Sequence, residues 1–287
     1  MHTPVLITQV LTHLDIQPGM KLVDCTFGEG GHTEAMLDAG ATVLALDADQ
    51  AQIDRYSQQM SQKVHAMMAN SQLILVRGNY ADISTIIPDH HFSPVDAVLF
   101  DLGLSMNQIH QGEGYSFQFP HQPLDLVIDS LAKQKGTTRA ADVVGGYTEE
   151  ELETMFSRYA ELTYAPKLAR GIVAYRKTHQ VQTVSDFISA IESVAAKSDY
   201  AAIFQALRVE VNDEYTKIIA GLEGSLKILK KDGKIAIISF HSGEDRLIKN
   251  WARGKGIKEV AKVIGKNVSS KSFERSAILR VYTHYSN

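Results

Sequence analysis

An α/β fold built on a doubly wound parallel sheet is what this sequence predicts, and three observations predict it. Short runs rich in Val, Ile and Leu are too continuous to be half-exposed strands, longer amphipathic stretches separate them, and a glycine cluster follows the first run. Strands are expected at 21–27, 42–47, 72–77, 95–102 and 234–240, with a sixth run at 277–283. Helical stretches separate the first four. Between 102 and 234 no strand is expected, which is too long a gap for one crossover connection. Residues 103–130, "GLSMNQIHQGEGYSFQFPHQPLDLVIDS", read as an irregular loop. Two capping boxes follow, Thr148 with Glu151 and Thr183 with Asp186. Each precedes an apolar stripe: Leu152, Met155, Phe156 and Tyr159 behind the first, Val184, Phe187, Ile188, Ile191 and Val194 behind the second. The sequence therefore predicts a helical domain over 112–198, inserted into a Rossmann-like domain made of 1–111 and 199–287. One long helix, about 202–229, is expected to lead into the fifth strand.

The 287 residues suffice for a well-buried core, and 44% hydrophobic with 22% charged residues is ordinary for a globular protein in water. A single cysteine excludes an internal disulfide framework and a multi-cysteine zinc site, and no metal ligand set is expected. No apolar run approaches membrane-spanning length and the start, "MHTPVLITQVL", lacks a basic leader, so a cytoplasmic protein away from membranes is expected. Charge is unevenly spread: residues 227–280 hold 14 basic against 5 acidic side chains, the remainder 15 against 28. Such a basic segment suits phosphate, although on charge alone a solvated lysine surface is the simpler reading.

The stretch "KLVDCTFGEGGHTEAML" places Asp24 and then Gly28, Gly30 and Gly31 at a strand-to-helix corner, where ligands of doubly wound sheets sit. A dinucleotide fingerprint needs a third glycine where Thr33 stands, and no Lys-Ser/Thr pair completes a phosphate loop. Asp24 would repel a pyrophosphate and attract an ammonium. The second strand ends in "ALDAD", where Asp47 is placed to accept both hydroxyls of a ribose. A nucleoside without phosphate, bearing an amino-acid tail, fits this corner: S-adenosylmethionine. A tight turn with a capping acid is the bland alternative.

The segments "MHTPVLITQVL", "DCTFGEGGHT", "ALDAD", "DLGLSMNQI", "GYSF…PLDL", "FQALRVEVNDE", "ISFHSGEDR" and "ERSAILRV" occur in an order and spacing that resembles the bacterial small-subunit rRNA methyltransferase H family (RsmH, also MraW). The resemblance runs over essentially the whole chain. It implies a Rossmann-like class I S-adenosylmethionine-dependent methyltransferase with an inserted helical domain, methylating N4 of a cytidine in the decoding region of 16S rRNA within the small ribosomal subunit. It implies cofactor contacts at Gly30, Gly31 and His32, ribose recognition by Asp47, an adenine-side contact from Tyr80, and contacts from Asp101 and Gln108 near the methionine end. It also implies a homodimer, for which the sequence shows no interface signal.

Transfer to an exocyclic amine needs an acceptor held against N4–H, because the amine lone pair is delocalised into the ring. Asp101, closing the fourth strand, is the candidate catalytic group, with His32 as an alternative base. In "ISFHSGEDR", His241 and Ser242 are candidates to hold the base or sugar, His241 with a catalytic role, and Arg246 a phosphate; a helix start with a surface ion pair is the plain alternative. Arg208 and Asn212 fall on one helix face with Gln205 and are candidate walls of the site. Tyr115 and Phe117 are candidates to stack on an extruded cytidine. Lys167, Arg170 and Lys177 share a face that suits RNA phosphate or plain solvent. The chain departs from the family pattern at Met106, Asn107, Glu113, Val127 and Gly243, which touches RNA contacts more than cofactor binding. Two other functions therefore stand beside the first: methylation of another RNA or DNA base, and an rRNA-binding assembly factor without methylation.

Overall fold

A computed structural model describes residues 4–103, 115, 119–129, 136–269, 271 and 274–283. By internal contacts the chain divides into two compact units, Met1–Gly103 with Tyr215–Asn287, and Leu104–Glu214.

The first unit is built on a seven-stranded sheet of order β3-β2-β1-β4-β5-β7-β6. The strands are β1 (Lys21–Asp24), β2 (Thr42–Asp47), β3 (Leu73–Arg77), β4 (Val95–Asp101), β5 (Leu229–Ser239), β6 (Lys258–Ile264) and β7 (Ile278–Thr283). The first five are parallel, and β7 enters antiparallel between β5 and β6. Buried runs such as Val43–Leu46 and Ala97–Phe100 confirm strands covered on both faces. The helices of this unit are α1 (Ile7–Leu14), α2 (Gly31–Asp38), α3 (Gln50–Gln59), α4 (Gln62–Ala69) and α5 (Ile83–Asp89), then α11 (Glu214–Ile228), α12 (Ser242–Lys255) and the short α13 (Gly265–Val268). Lys234 donates to the carbonyls of His13 and Leu14, closing the C-terminus of α1 where a cation is favoured.

Three local expectations change. β1 stops at Asp24 rather than running to 27, because the Asp24 side chain takes the Thr26 N–H and bends the chain out of the ladder. The edge strand β6 was not expected. Its sequence, KEVAKVI, carries two lysines and a glutamate, a composition that protects an exposed edge and hides the strand signal. The helix expected over 202–229 is two helices, α10 (Tyr200–Asn212) and α11, broken where Asp213 adopts a left-handed conformation at φ 48°.

The second unit holds α6 (Ala140–Gly146), α7 (Glu149–Tyr159), α8 (Ala165–Tyr175), α9 (Val184–Ile191) and α10. Both capping boxes form: Thr148 and Thr183 accept the N3 backbone N–H while Glu151 and Asp186 reach back to the cap N–H. The stripes behind them meet in one core around Leu152, Phe156, Leu168, Ile172, Phe187 and Ile191. Each such side chain contributes about 1.5–3 kcal/mol by burial. Ile203, Phe204 and Leu207 of α10 join this core, so the compact unit takes in more of the chain than the 112–198 read from the sequence. Among the described residues no strand lies between β4 and β5; Pro123 and Thr183 form one isolated bridge.

Candidate active site

Parallel pairing brings the carboxyl ends of β1, β2, β4 and β5 to one edge of the first unit; Asp24, Asp47 and Asp101 close the first three, and β5 ends at Ser239, two residues before His241. Asp24 pairs with Ala45 and Leu99, and Asp101 pairs with Ile238. After β1 the chain turns through Gly28 (φ 55°) and Gly30 (φ 82°), conformations that a side chain resists. A Cβ on Gly30 would sit 2.6 Å from the Tyr56 ring and 3.0 Å from Phe27, two rings packed edge-on at 4.7 Å. A Cβ on Gly31 would run into the Pro4 ring. Gly30 donates its own N–H to Phe27 O at 2.8 Å, and neither glycine puts a side chain over the start of α2, where positive helix-end potential gathers.

Asp24 is fully buried. Its Oδ2 accepts the Thr33 hydroxyl at 2.7 Å and its Oδ1 the Thr26 N–H at 3.1 Å, so it shapes the glycine loop from beneath. Thr33, read from the sequence as a failed fingerprint glycine, is the partner this acid requires. Asp47 holds the loop from the next strand: Oδ2 accepts Gly28 N–H and Oδ1 accepts Asp49 N–H, both at 2.8 Å. Asp101 is tied by its own N–H to the Thr26 hydroxyl at 2.7 Å. Its Oδ2 stands 3.6 Å from Nδ1 of His32, and its buried Oδ1 has no partner among the described residues.

These carboxyls crowd one another. Burial raises Asp24 above the usual carboxylate range. Burial pushes Asp47 up to about 7 against the pull of two backbone N–H donors. Burial pushes Asp101 up to about 6, with His32 opposing the rise and Asp24 adding to it. Such a cluster favours a cationic ligand. Its free acceptor and side-chain-free cradle suit S-adenosylmethionine, which carries an ammonium and a sulfonium.

Tyr80 follows β3 in a short 3-10 turn capped by the Asn79 side chain. Its half-buried ring packs edge-on to Phe100 at 5.7 Å. Gly221 of α11 makes room for it, since a Cβ there would meet the Tyr80 ring at 2.9 Å. Beyond β5, Glu244 is buried and accepts the N–H groups of Phe240 (2.9 Å) and His241 (3.3 Å), fixing the turn into α12. Asp245 is buried on Arg280, which also pairs with Glu259. Both acids do start a helix, as the plain alternative has it, and Asp245 also meets the half-exposed Lys249 at 3.4 Å. They hold His241 half-buried and leave Ser242 and Arg246 exposed on the same end of the sheet. Gly243 stands where the family pattern has leucine, and the Tyr215 hydroxyl occupies the space a side chain there would need.

Within the second unit, Arg208 is paired with Glu214 through two hydrogen bonds of 2.7 and 3.0 Å. Asn212 donates to Leu126 O at 2.8 Å and accepts Ile128 N–H at 2.9 Å. The motifs "FQALRVEVNDE" and "PLDLVID" are thereby joined, and Val127, in place of the family's arginine, is buried between those bonds. Tyr115 packs on the helical core. Arg170 pairs with Glu149, while Lys167 and Lys177 are exposed. Gln108 and Phe117 lie outside the described residues, as do Met106, Asn107 and Glu113. Sequence reasoning missed Thr26, Glu274 and the Val5 carbonyl, which act through backbone groups that no motif displays, and read Glu244 as part of a helix start, which it is.

A glycine corner after β1, acids closing β2 and β4, and β7 entering antiparallel beside β5 define a class I S-adenosylmethionine-dependent methyltransferase. The family model described as the MraW methylase family matches residues 1–282, and the chain belongs to that family. Among its curated relatives, "Ribosomal RNA small subunit methyltransferase H" of Carboxydothermus hydrogenoformans is 36% identical over 88% of this chain and 80% of its own length. The protein of the same name from Thermomicrobium roseum is 36% identical over 88% and 77%. That from Dictyoglomus thermophilum is 32% identical over 98% and 96%.

Proposed function

We propose that this chain methylates N4 of a cytidine in the decoding region of 16S rRNA, in the small ribosomal subunit. The observation that carries the reading is Asp101: an acidic side chain at the end of β4 with one buried oxygen left without a partner among the described residues, beside the glycine corner. The name shared by the relatives, a ribosomal RNA small subunit methyltransferase, supports rRNA as the substrate.

S-adenosylmethionine bound at this corner supplies a methyl group on a sulfonium, a leaving group that needs no acid catalysis. Gly28, Gly30 and Gly31 offer backbone to it, Asp47 accepts the ribose hydroxyls, and Tyr80 flanks the adenine. Asp24 acts one step back, by shaping the loop. Asp101 Oδ1 accepts a hydrogen of the cytosine amine, orients its lone pair and takes the proton as the amine bonds to carbon. His241 and Ser242 hold the base and sugar, and Arg246 meets a phosphate. Arg208 and Asn212 contribute by keeping 126–128 in shape, and Tyr115 by stacking. No helix of the described residues is long and apolar enough to cross a membrane.

Nucleoside mass spectrometry of 16S rRNA from a deletion strain tests the reading. N4-methylcytidine should vanish, return with the wild-type gene, and stay absent with Asp101→Asn. An unchanged level in the deletion strain refutes it.

A further inference from the structure

We propose that His32 is a positioning residue whose ring keeps the Asp101 carboxyl ionised, ready for the proton that leaves the substrate amine. The inference rests on the methyl-transfer reading above and adds a role for a side chain that the family resemblance assigns only to cofactor contact.

The geometry begins away from the loop. His32 is 6% exposed, and its Nε2 lies 3.0 Å from the Val5 carbonyl. A carbonyl only accepts, so Nε2 carries a hydrogen. Val5 is itself held: Leu6, left-handed at φ 51°, donates its N–H to the buried Glu274 at 3.2 Å, and the Pro4 ring covers Gly31. With Nε2 committed, Nδ1 faces Asp101 Oδ2 at 3.6 Å. Two lone pairs facing each other in a buried site repel, so one proton belongs to the pair. On Nδ1 it leaves Asp101 a carboxylate with Oδ1 unused.

Among the described residues, the other titratable groups near this pair are Asp24, Asp47 and Cys25. Asp24 from β1 faces both members and adds negative charge, Asp47 from β2 adds more at longer range through Asp24, and Cys25 is a buried neutral thiol. Burial and Asp24 both raise Asp101, and among the described residues His32 opposes them. Without it, Asp101 is left with the two influences that favour its protonated form, which has no capacity for a second proton. The balance of the transfer is simple. The N–C bond forms as the C–S bond breaks, the C–S electron pair stays on sulfur, and one amine proton passes to Asp101 Oδ1 and then to water.

His32→Gln separates this role from a structural one, because the amide still donates to Val5 but puts no cation beside Asp101. At saturating S-adenosylmethionine the acid limb of the kcat profile should move up by at least one pH unit, a roughly tenfold loss below both midpoints, at about pH 5, that is recovered in alkaline buffer. Cofactor Kd at each pH separates binding losses from this effect. Carboxyl 13C NMR of the cofactor-free protein should show Asp101 titrating higher in the variant than in the wild type. Should His32→Gln fail to fold, His32→Asn read by the same Asp101 carboxyl signal decides the matter. An unmoved Asp101 midpoint overturns the proposal. Wild-type protein that never methylates 16S rRNA overturns the function instead, and the titrations still judge the pair.

Discussion

Asp47→Asn should flatten two pH dependences that the wild type shows with opposite sign. In the cofactor-free protein burial lifts Asp47 from 3.8 to about 7, against its hydrogen bonds to Asp49 and Gly28. The native state thus holds this proton more tightly than the unfolded chain. The group costs nothing below pH 4 and progressively more as pH rises to 7. The slope reaches about 1.4 kcal/mol per unit and the total is on the order of 4 kcal/mol, an upper figure because partial exposure screens the charge. Cofactor binding runs the other way. Ribose hydroxyls donate to the ionised carboxyl, so affinity for S-adenosylmethionine should be about tenfold weaker at pH 6 than at pH 8. In the variant an amide NH2 faces one of the two backbone N–H groups, which costs about 1–3 kcal/mol at every pH. Urea titrations of both proteins at pH 4.5, 6 and 8, with calorimetric titration of the cofactor at pH 6 and 8, read both effects. The wild type should lose stability relative to the variant as pH rises, and only the wild type should gain affinity. A stability difference that stays constant across this range would refute a buried, proton-holding carboxyl at the end of β2.

Three further outcomes are expected. Arg280→Met takes the two guanidinium hydrogen bonds from the buried Asp245 and leaves it the longer contact to Lys249, and thermal unfolding should report a loss of about 1.5–3 kcal/mol. Gly30→Ala forces a Cβ against Tyr56 in a left-handed backbone, and calorimetry should find cofactor affinity at least tenfold weaker, with about 1–3 kcal/mol of stability lost. Asn212→Ala leaves Leu126 O and Ile128 N–H without their partner, costing about 1–3 kcal/mol, and amide exchange should accelerate first at 126–128.

Legibility in the sequence followed the range of the interactions. Strands β1 to β5 and β7 announce themselves because burial on both faces demands continuous apolar runs, and Thr148 and Thr183 because a capping box is complete within four residues. Asp47 and Asp101 were readable for the same reason, each closing such a run. β6 was not, since a solvent-facing edge is selected for lysine rather than for Val and Ile. The break at Asp213 was hidden because helical periodicity resumes at once on the far side, leaving only the Asn-Asp pair as a sign of a left-handed turn. What orients the site lay further out of reach. The Thr33 hydroxyl on Asp24, the Val5 carbonyl on His32 and Glu244 on two N–H groups are contacts to atoms every residue type shares, or between partners no pattern links.

The hydrogen bond that steadies the segment before α1 joins Leu6 to Glu274, 268 positions later in the chain. β7, which must seat between β5 and the edge strand, is made later still. On the ribosome the cofactor corner is therefore among the first parts translated and among the last completed. At about 5–20 residues per second it waits on the order of 15–50 s for the residue that closes it. Throughout that interval Leu6 and His32 lack their final anchor, so a nascent chain has its glycine loop long before it has a working methyl-transfer site.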